Sequence, residues 1–302
     1  MSENPCAIRS AERARIHGPM PPGFEEEPAP LPFLATLLIA TVVAGASASG
    51  AHAPAWRALG PGFEYALVPL PGASGSSATL HVVRVDPARA RVRAEMASRL
   101  DGHSRTAGEW CRKRGLAVAI NLGMFSGDGR AHLGYLRSAG REVESTWRDD
   151  YRSAVGLAPP PGGPSALRWV DLDRPGARES LRDYGLVVQN LRIVRGDRRI
   201  VWAVQPRRWS EAALAADGPG RLLLLFCREA LPMAEFARRL LAAPLDVRGV
   251  MHVEGGPEAS LSIHAGGLDL DLCGSYETGF REDDTNTGQW PIPNVLGVET
   301  PR

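Results

Sequence analysis

Apolar and polar residues first alternate along the chain with a period of two. FEYALVPL (63–70), TLHVVRVD (79–86) and ARVRAEMA (90–97) do so around turn signals such as Asp86-Pro87, the pattern of strands that bury one face. The period then changes. SRTAGEWCRKRG (104–115) sets Ala107, Trp110 and Cys111 on one helical face and stops at Gly115. The apolar run LAVAIN (116–121) that follows predicts a buried strand ending at Asn121. APPPGGP (158–164) reads as a loop. The clearest unit spans 221–256. RLLLLF predicts a buried strand, and Pro232 suits a helix start, where its missing N–H costs nothing. Met233, Phe236, Ala237, Leu240 and Leu241 then form one apolar stripe, and VRGVMHVE predicts a further strand ending at Glu254-Gly255-Gly256. Strand, helix and strand in this order predict a parallel βαβ pair. The expected class is α+β: a mixed, largely antiparallel sheet with flanking helices and one βαβ unit, in a single domain over 54–302.

Residues 1–53 form a separate segment. FLATLLIATVVAGA (33–46) is uncharged and apolar over fourteen residues, short for a bilayer span but suited to the core of a secretory signal. Small residues follow, and a cut after Ala48 fits them better than one after Ala53, which would leave Pro54 first. Glu25, Glu26 and Glu27 stand where such signals carry positive charge, so an uncleaved membrane anchor through residues 33–46 is the alternative to export. The expected location is periplasmic or secreted.

Composition narrows the function classes. The 302 residues, 44% hydrophobic and 23% charged, describe an ordinary globular chain. A formal net charge of +1 supplies no basic surplus for phosphate-backbone binding, so nucleic acid is not an expected partner. Cys111, Cys227 and Cys273 read as small buried hydrophobes, and no CxxC occurs. His252 and Glu254 alternate on one strand, and His132 and His264 could complete a metal site. Without HExxH or paired cysteines none is expected, and no cofactor is implied.

Three segments place polar groups at expected strand ends: INLGMF (120–125), VVQNLRIV (187–194) and HVEGGPEASL (252–261). In the first, Gly123 would turn the backbone and expose the Asn121 amide. In the second, Gln189, Asn190 and Arg192 interrupt apolar runs. In the third, Gly255 and Gly256 permit close backbone approach beside Glu254, with Glu258 a second carboxylate. Each also has an ordinary structural reading: a turn asparagine, a solvated strand end, a glycine-rich corner, and for Arg192 an ion pair with a carboxylate such as Asp197. In ETGFREDDTN (277–286) a solvated acidic loop is favoured over calcium binding, since EF-hand spacing is absent.

INLGMF, QPRRWSEAALAADGPGRLLLLF with its following helix, and HVEGGPEASL occur in the order seen in phosphodiester glycosidases, the group that includes the lysosomal enzyme uncovering mannose 6-phosphate. GSYETGFREDDTNTGQWPIPNVLGV resembles the closing motif of a bacterial subgroup. One departure is Glu254, where many members carry aspartate before the paired glycines. The resemblance implies hydrolysis of a sugar-1-phosphodiester at the anomeric carbon, in cell-envelope or extracellular glycans. Glu254 would be nucleophile or base, Arg192 the phosphate-binding fork, and Asn121 a hydrogen-bonding partner of sugar or water. Gly123, Gln189, Asn190, Gly255, Gly256 and Glu258 would line the substrate site. Two other classes remain at this point: a non-catalytic carbohydrate-binding or envelope-scaffold domain, and a metal-dependent phosphodiesterase.

Overall fold

The computed structural model describes residues 53–301 apart from 73–76, 127–128, 130 and 164–165. The apolar stretch 33–46 and the expected cleavage point lie outside the described residues.

Two sheets carry the fold, which is predominantly β. In spatial order the larger contains β1 (Arg57–Gly60), β2 (Phe63–Pro71), β3 (Ser77–Val85), β12 (Leu222–Pro232), β11 (Arg208–Asp217), β13 (Val247–Gly255), β10 (Leu186–Val194), β6 (Leu136–Ser138) and β7 (Arg141–Glu144). β8 (Ser153–Leu157) pairs with β10 and with β9 (Leu167–Asp171). The smaller sheet runs β15 (Leu268–Cys273), β14 (Ser260–Ala265), β5 (Leu116–Asn121), β16 (Asn294–Glu299), β4 (Val92–Met96).

The sheets pack face to face. Val83, Leu214, Leu224, Met251 and Val253 of the larger meet Val92, Val118, Ile120, Leu261 and Leu296 of the smaller in one buried cluster. Each outer face carries a helix. On the smaller sheet lies α1 (Ala107–Arg114), whose Trp110 and Cys111 pack with Ala119 and Val295. Its start is fixed by a capping box in which Thr106 and Glu109 exchange side-chain and backbone hydrogen bonds, and its end by Gly115 at φ 64°. On the larger sheet lies α2 (Met233–Ala242), directly after Pro232. Met233, Phe236, Ala237 and Leu240 are buried against Leu191, Ala213, Leu225 and Val250, each large side chain contributing about 1.5–3 kcal/mol of hydrophobic stabilisation. Leu241 is half-buried at the edge of this stripe.

The expected parallel pair is not formed. β12 and β13 run parallel and are joined by α2, but β11 lies between them and pairs antiparallel with both. Every strand pairing among the described residues is antiparallel, so the sheet is not mixed and the βαβ unit is split. β11 precedes β12 across the short Asp217–Arg221 turn, and this hairpin takes the edge a parallel neighbour would need.

After β13 the chain crosses to the smaller sheet through a single turn of 3₁₀ helix, Gly256–Glu258, and continues as β14. That crossing brings the end of β13 to the end of β5.

Candidate active site

Asn121 closes β5 and holds this crossing in place. Its Nδ2 donates to the Glu258 carbonyl at 3.0 Å, and its Oδ1 accepts from the Ser260 N–H at 2.8 Å. Both amide functions are spent on backbone and the residue is buried, so the amide is a clamp between the end of β5 and the crossing turn rather than an exposed group.

Gly123 is required by crowding, not by a turn. Its φ is not in the left-handed region, yet a β-carbon there would lie 2.5 Å from Asn190 Oδ1 and 2.6 Å from His132 Cε1. Asn190 Nδ2 donates to the Leu122 carbonyl at 3.1 Å. Asn190 Oδ1 and the Ser153 hydroxyl, on the residue paired with Asn190 in β8, are buried with no hydrogen-bond partner among the described residues, and the buried ring nitrogens of His132 beside them have only a poorly aligned contact with the Gln189 backbone. Unpaired buried polar atoms cost roughly 1–3 kcal/mol each, and several gathered at one place are expected where a fold serves something other than stability. Burial also pushes the His132 imidazole down to about 4, so it is neutral at ordinary pH.

Gln189 faces away from this group and is fully committed. Its Oε1 accepts from the Tyr135 and Arg148 N–H groups at 2.9 and 3.0 Å, and its Nε2 donates to the Arg148 and Tyr151 carbonyls at 2.7 and 2.6 Å. One side chain thus ties the 135 and 148–151 segments to β10. Tyr151, anchored in this way, is buried, its phenol pushed up chiefly by desolvation and further by the nearby Glu254 charge, and its hydroxyl meets Met124 Sδ at 3.6 Å.

Glu254 stands at the end of β13, buried, with Oε1 accepting the Gly255 N–H at 3.0 Å. A bulge precedes it: adjacent Ala212 and Ala213 on β11 face Glu254 and His252, two residues apart on β13. The extra residue, Val253, breaks the alternation that would put His252 and Glu254 on one face and re-aims the carboxylate, a common use of bulges beside sites. The glycines after it meet crowding on both sides. A β-carbon on Gly255 would lie 2.6 Å from Trp209 Cδ1, and Gly256, at φ 64°, would press on the Glu277 carboxylate.

Behind the bulge lies a polar pair that no sequence motif links. His252 Nδ1 sits 2.9 and 3.0 Å from the two Glu211 oxygens, and Trp209 Nε1 donates to Glu211 Oε2 at 2.7 Å. Burial raises the Glu211 carboxyl well above the usual range, with the Trp209 N–H partly opposing. Trp202 and Trp209 set their rings edgewise to the imidazole. His252 therefore belongs to an enclosed dyad. His264 pairs with Asp269 at the other end of the smaller sheet. Among the described residues no three His, Cys, Asp or Glu side chains gather as metal ligands do.

Arg192 lies elsewhere. It faces Met251, three residues before Glu254 on β13, which is about 10 Å along the strand. Its Nη1 and Nη2 form a two-point ion pair with Asp173, both at 2.9 Å, and Nη1 also reaches Asp171 at 3.3 Å. That pairing holds Asp173 down to about 2. Asp197, closer in sequence, pairs with Arg174 and Arg195 instead. Glu258 is buried in the 3₁₀ turn. Asn121, Gly123, Asn190, Glu254, Gly255, Gly256 and Glu258 thus gather where the sheets meet, while Arg192 opens onto a separate cleft.

The acidic tail is tied down by ion pairs and turns. Arg228 Nη2 donates to Asp284 at 2.7 Å and to the Asn286 carbonyl at 2.8 Å, and Asp283 accepts from the Thr285 N–H at 3.0 Å. Trp290 is half-buried, edge to face with Phe280. Cys111, Cys227 and Cys273 are free and buried.

A family model described as phosphodiester glycosidase matches residues 114–299. Comparison with curated proteins gives no match. Among solved structures, the chain is similar to the catalytic domain of the zebrafish N-acetylglucosamine-1-phosphodiester alpha-N-acetylglucosaminidase, in a form auto-inhibited by its pro-peptide. The TM-score is 0.57 at 16% identity, over 80% of this chain and 84% of that one. It is also similar to a hypothetical protein from Synechocystis, with a TM-score of 0.54 at 15% identity, over 78% of this chain and 62% of that one. At such identities the likeness concerns the fold. Both polar ends that gather at the sheet junction, β5 and β13, fall within the family match.

Proposed function

Because the chain belongs to the phosphodiester glycosidase family, we propose that it hydrolyses the glycosidic C–O bond of a sugar-1-phosphodiester in cell-envelope or extracellular glycans. The observation that carries the reading within this hydrolase family is the buried Glu254 carboxylate, re-aimed by the bulge at Val253 and backed by Gly255 and Gly256. Glu254 either attacks the anomeric carbon or takes a proton from the water that does. The bond from that carbon to the phosphate oxygen breaks, its electron pair stays with the phosphate, and the products are free sugar and a phosphate monoester. A phosphate leaves readily, so catalysis depends more on stabilising charge than on donating a proton. Arg192, expected from the sequence to hold the phosphate, is spent on Asp173 and Asp171 in the separate cleft and takes no part in the reaction. Asn121 acts by fixing the Gly256–Glu258 turn, and neutral His132 and Asn190 offer hydrogen bonds to the sugar.

Glu254→Gln keeps the shape and removes the charge. It should lower kcat on a sugar-1-phosphodiester by a factor of about 10³ or more with KM nearly unchanged. A variant within a few-fold of the parent enzyme would remove Glu254 from the mechanism. For export, N-terminal sequencing of the protein from cell fractions should find a chain outside the cytoplasm that begins near residue 49. A soluble cytosolic form keeping residue 33 would refute it.

A further inference from the structure

One member of the acidic tail is not solvated. Glu277 opens ETGFREDDTN, is 2% exposed and lies against the glycines that follow Glu254. Its backbone does the fastening. Glu277 forms an antiparallel bridge with Trp209 of β11, its N–H donates to the Arg281 carbonyl at 2.7 Å, and its carbonyl accepts from the Phe280 and Arg281 N–H groups at 3.1 and 2.9 Å. On either side, the Ser210 N–H donates to the Tyr276 carbonyl and the Thr278 N–H to the Arg208 carbonyl, both at 3.0 Å. These bonds would form equally with glutamine or alanine at 277, whereas burying a carboxylate is costly. The side chain is nevertheless turned onto Gly256. A β-carbon there would collide with Oε2 and stand 3.0 Å from Glu277 Cβ and 3.3 Å from Cδ, which puts the carboxyl carbon within about 5 Å of Gly256 Cα. Glu254 reaches the same dipeptide from its other end, since Oε1 accepts the Gly255 N–H at 3.0 Å. These contacts hold the two carboxyl groups within about 13 Å of each other, a limit that includes the spacings of about 5–9.5 Å at which paired carboxyl groups cleave glycosides. Gly255 makes room for Trp209 and Gly256 for Glu277, so the paired glycines admit a second carboxylate beside the first.

We propose that Glu277 is the base of the reaction: it takes the proton from the attacking water, while Glu254 faces the anomeric carbon. The inference rests on the glycosidase reading and supplies the second carboxylate that such chemistry uses. In the first step a Glu254 oxygen bonds to the anomeric carbon as the bond to the phosphate oxygen breaks, and the electron pair leaves with the phosphate monoester. In the second a water oxygen bonds to the same carbon and the bond to Glu254 breaks, its electron pair returning to the carboxylate. The proton of that water passes to Glu277, which later gives it to solvent. A phosphate needs no proton in order to leave, so Glu277 is required in the second step only.

That asymmetry is the test. The full chain should turn over at least one member of a panel of methyl phosphodiesters of hexose and N-acetylhexosamine 1-phosphates. On that substrate Glu277→Gln should release about one phosphate monoester per enzyme in a burst and then continue more slowly than the parent by a factor of about 10²–10⁴. Azide attacks without giving up a proton. Added to Glu277→Ala, it should raise turnover at least about tenfold and yield a glycosyl azide with the anomeric configuration of the substrate, a product that a role in folding alone does not generate. A glycosyl azide of inverted configuration, without a burst, would keep Glu277 as the base of a single displacement. Turnover by Glu277→Gln within a few-fold of the parent, or a slow Glu277→Ala that azide does not revive, would overturn the proposal, as would azide rescue of Glu258→Ala in its place. Loss of the cooperative melt in both Glu277 variants would assign the side chain to the fold and overturn it too. Each of these failures leaves the glycosidase reading standing, whereas a folded parent that cleaves nothing on the panel would refute that reading and the proposal together.

Discussion

Gly123→Ala tests whether the junction between the sheets is as crowded as described. A methyl group placed there would stand 2.5 Å from Asn190 Oδ1 and 2.6 Å from His132 Cε1, about 1 Å inside ordinary contact. Neither neighbour retreats easily. Asn190 is held through Nδ2 by the Leu122 carbonyl, and His132 is buried. Gly123 already has a φ that any residue adopts, so the cost is overpacking alone, about 1–3 kcal/mol. In a chain of this size each kcal/mol lowers the melting temperature by roughly 2–4 °C, which gives a fall of roughly 2–12 °C. Calorimetric melting or urea unfolding reads this directly. Asn190→Ala supplies the control: it removes the nearer obstacle, so the double variant should be at least about 1 kcal/mol more stable than the sum of the two single costs predicts. A Gly123→Ala melt within about 1 °C of the parent, or strictly additive costs, would show that the junction has room.

Arg192→Lys keeps a charge and loses the two-point pair with Asp173, so the melting temperature should fall while kcat/KM on a sugar-1-phosphodiester stays within a few-fold of the parent; a steep loss of activity with an unchanged melt would place Arg192 in phosphate binding after all. His132 carries a pH signature. Its folded value of about 4 lies below the ordinary 6.5, so the unfolded chain takes up the proton first and stability falls as pH drops from about 6.5 towards 4, by about 3 kcal/mol. Urea unfolding at pH 7 and pH 4 should show a loss smaller by about that amount in His132→Gln. The raised Glu211 carboxyl acts in the opposite sense, so the comparison with the variant carries the result.

Elements whose causes are local were legible in the sequence. The helix at 107–114 is bounded by its own Thr106, Glu109 and Gly115, and the stripe from Met233 to Leu240 needs only a surface to lie on. The place of β11 was not, because a hairpin and a crossover strand compete for the same edge and only long-range pairing decides. The same holds within the site. Glu254 and its glycines stand out as polar and flexible residues after an apolar run. Nothing near Gln189 in sequence announces that Tyr135, Arg148 and Tyr151 will surround it, nor near Arg192 that Asp173 rather than Asp197 will meet it. Glu211 gave no signal, since its partner His252 lies forty-one positions away. A polar side chain's role depends on what folds against it, and apolar periodicity does not record that.

The split βαβ unit also dictates an order of assembly. β11 and β12 are joined by the short turn at 218–220 and can zip as a hairpin as soon as both leave the ribosome. The other edge of β11 must then wait for α2 and for β13, whose last residues are Glu254 and Gly255. In that interval an alanine-rich strand exposes unpaired backbone groups to any neighbouring chain, the situation from which strand exchange and aggregation start. Sealing that edge and delivering Glu254 to its position are one event, so a nascent chain acquires its proposed reactive carboxylate only when its most vulnerable edge is closed.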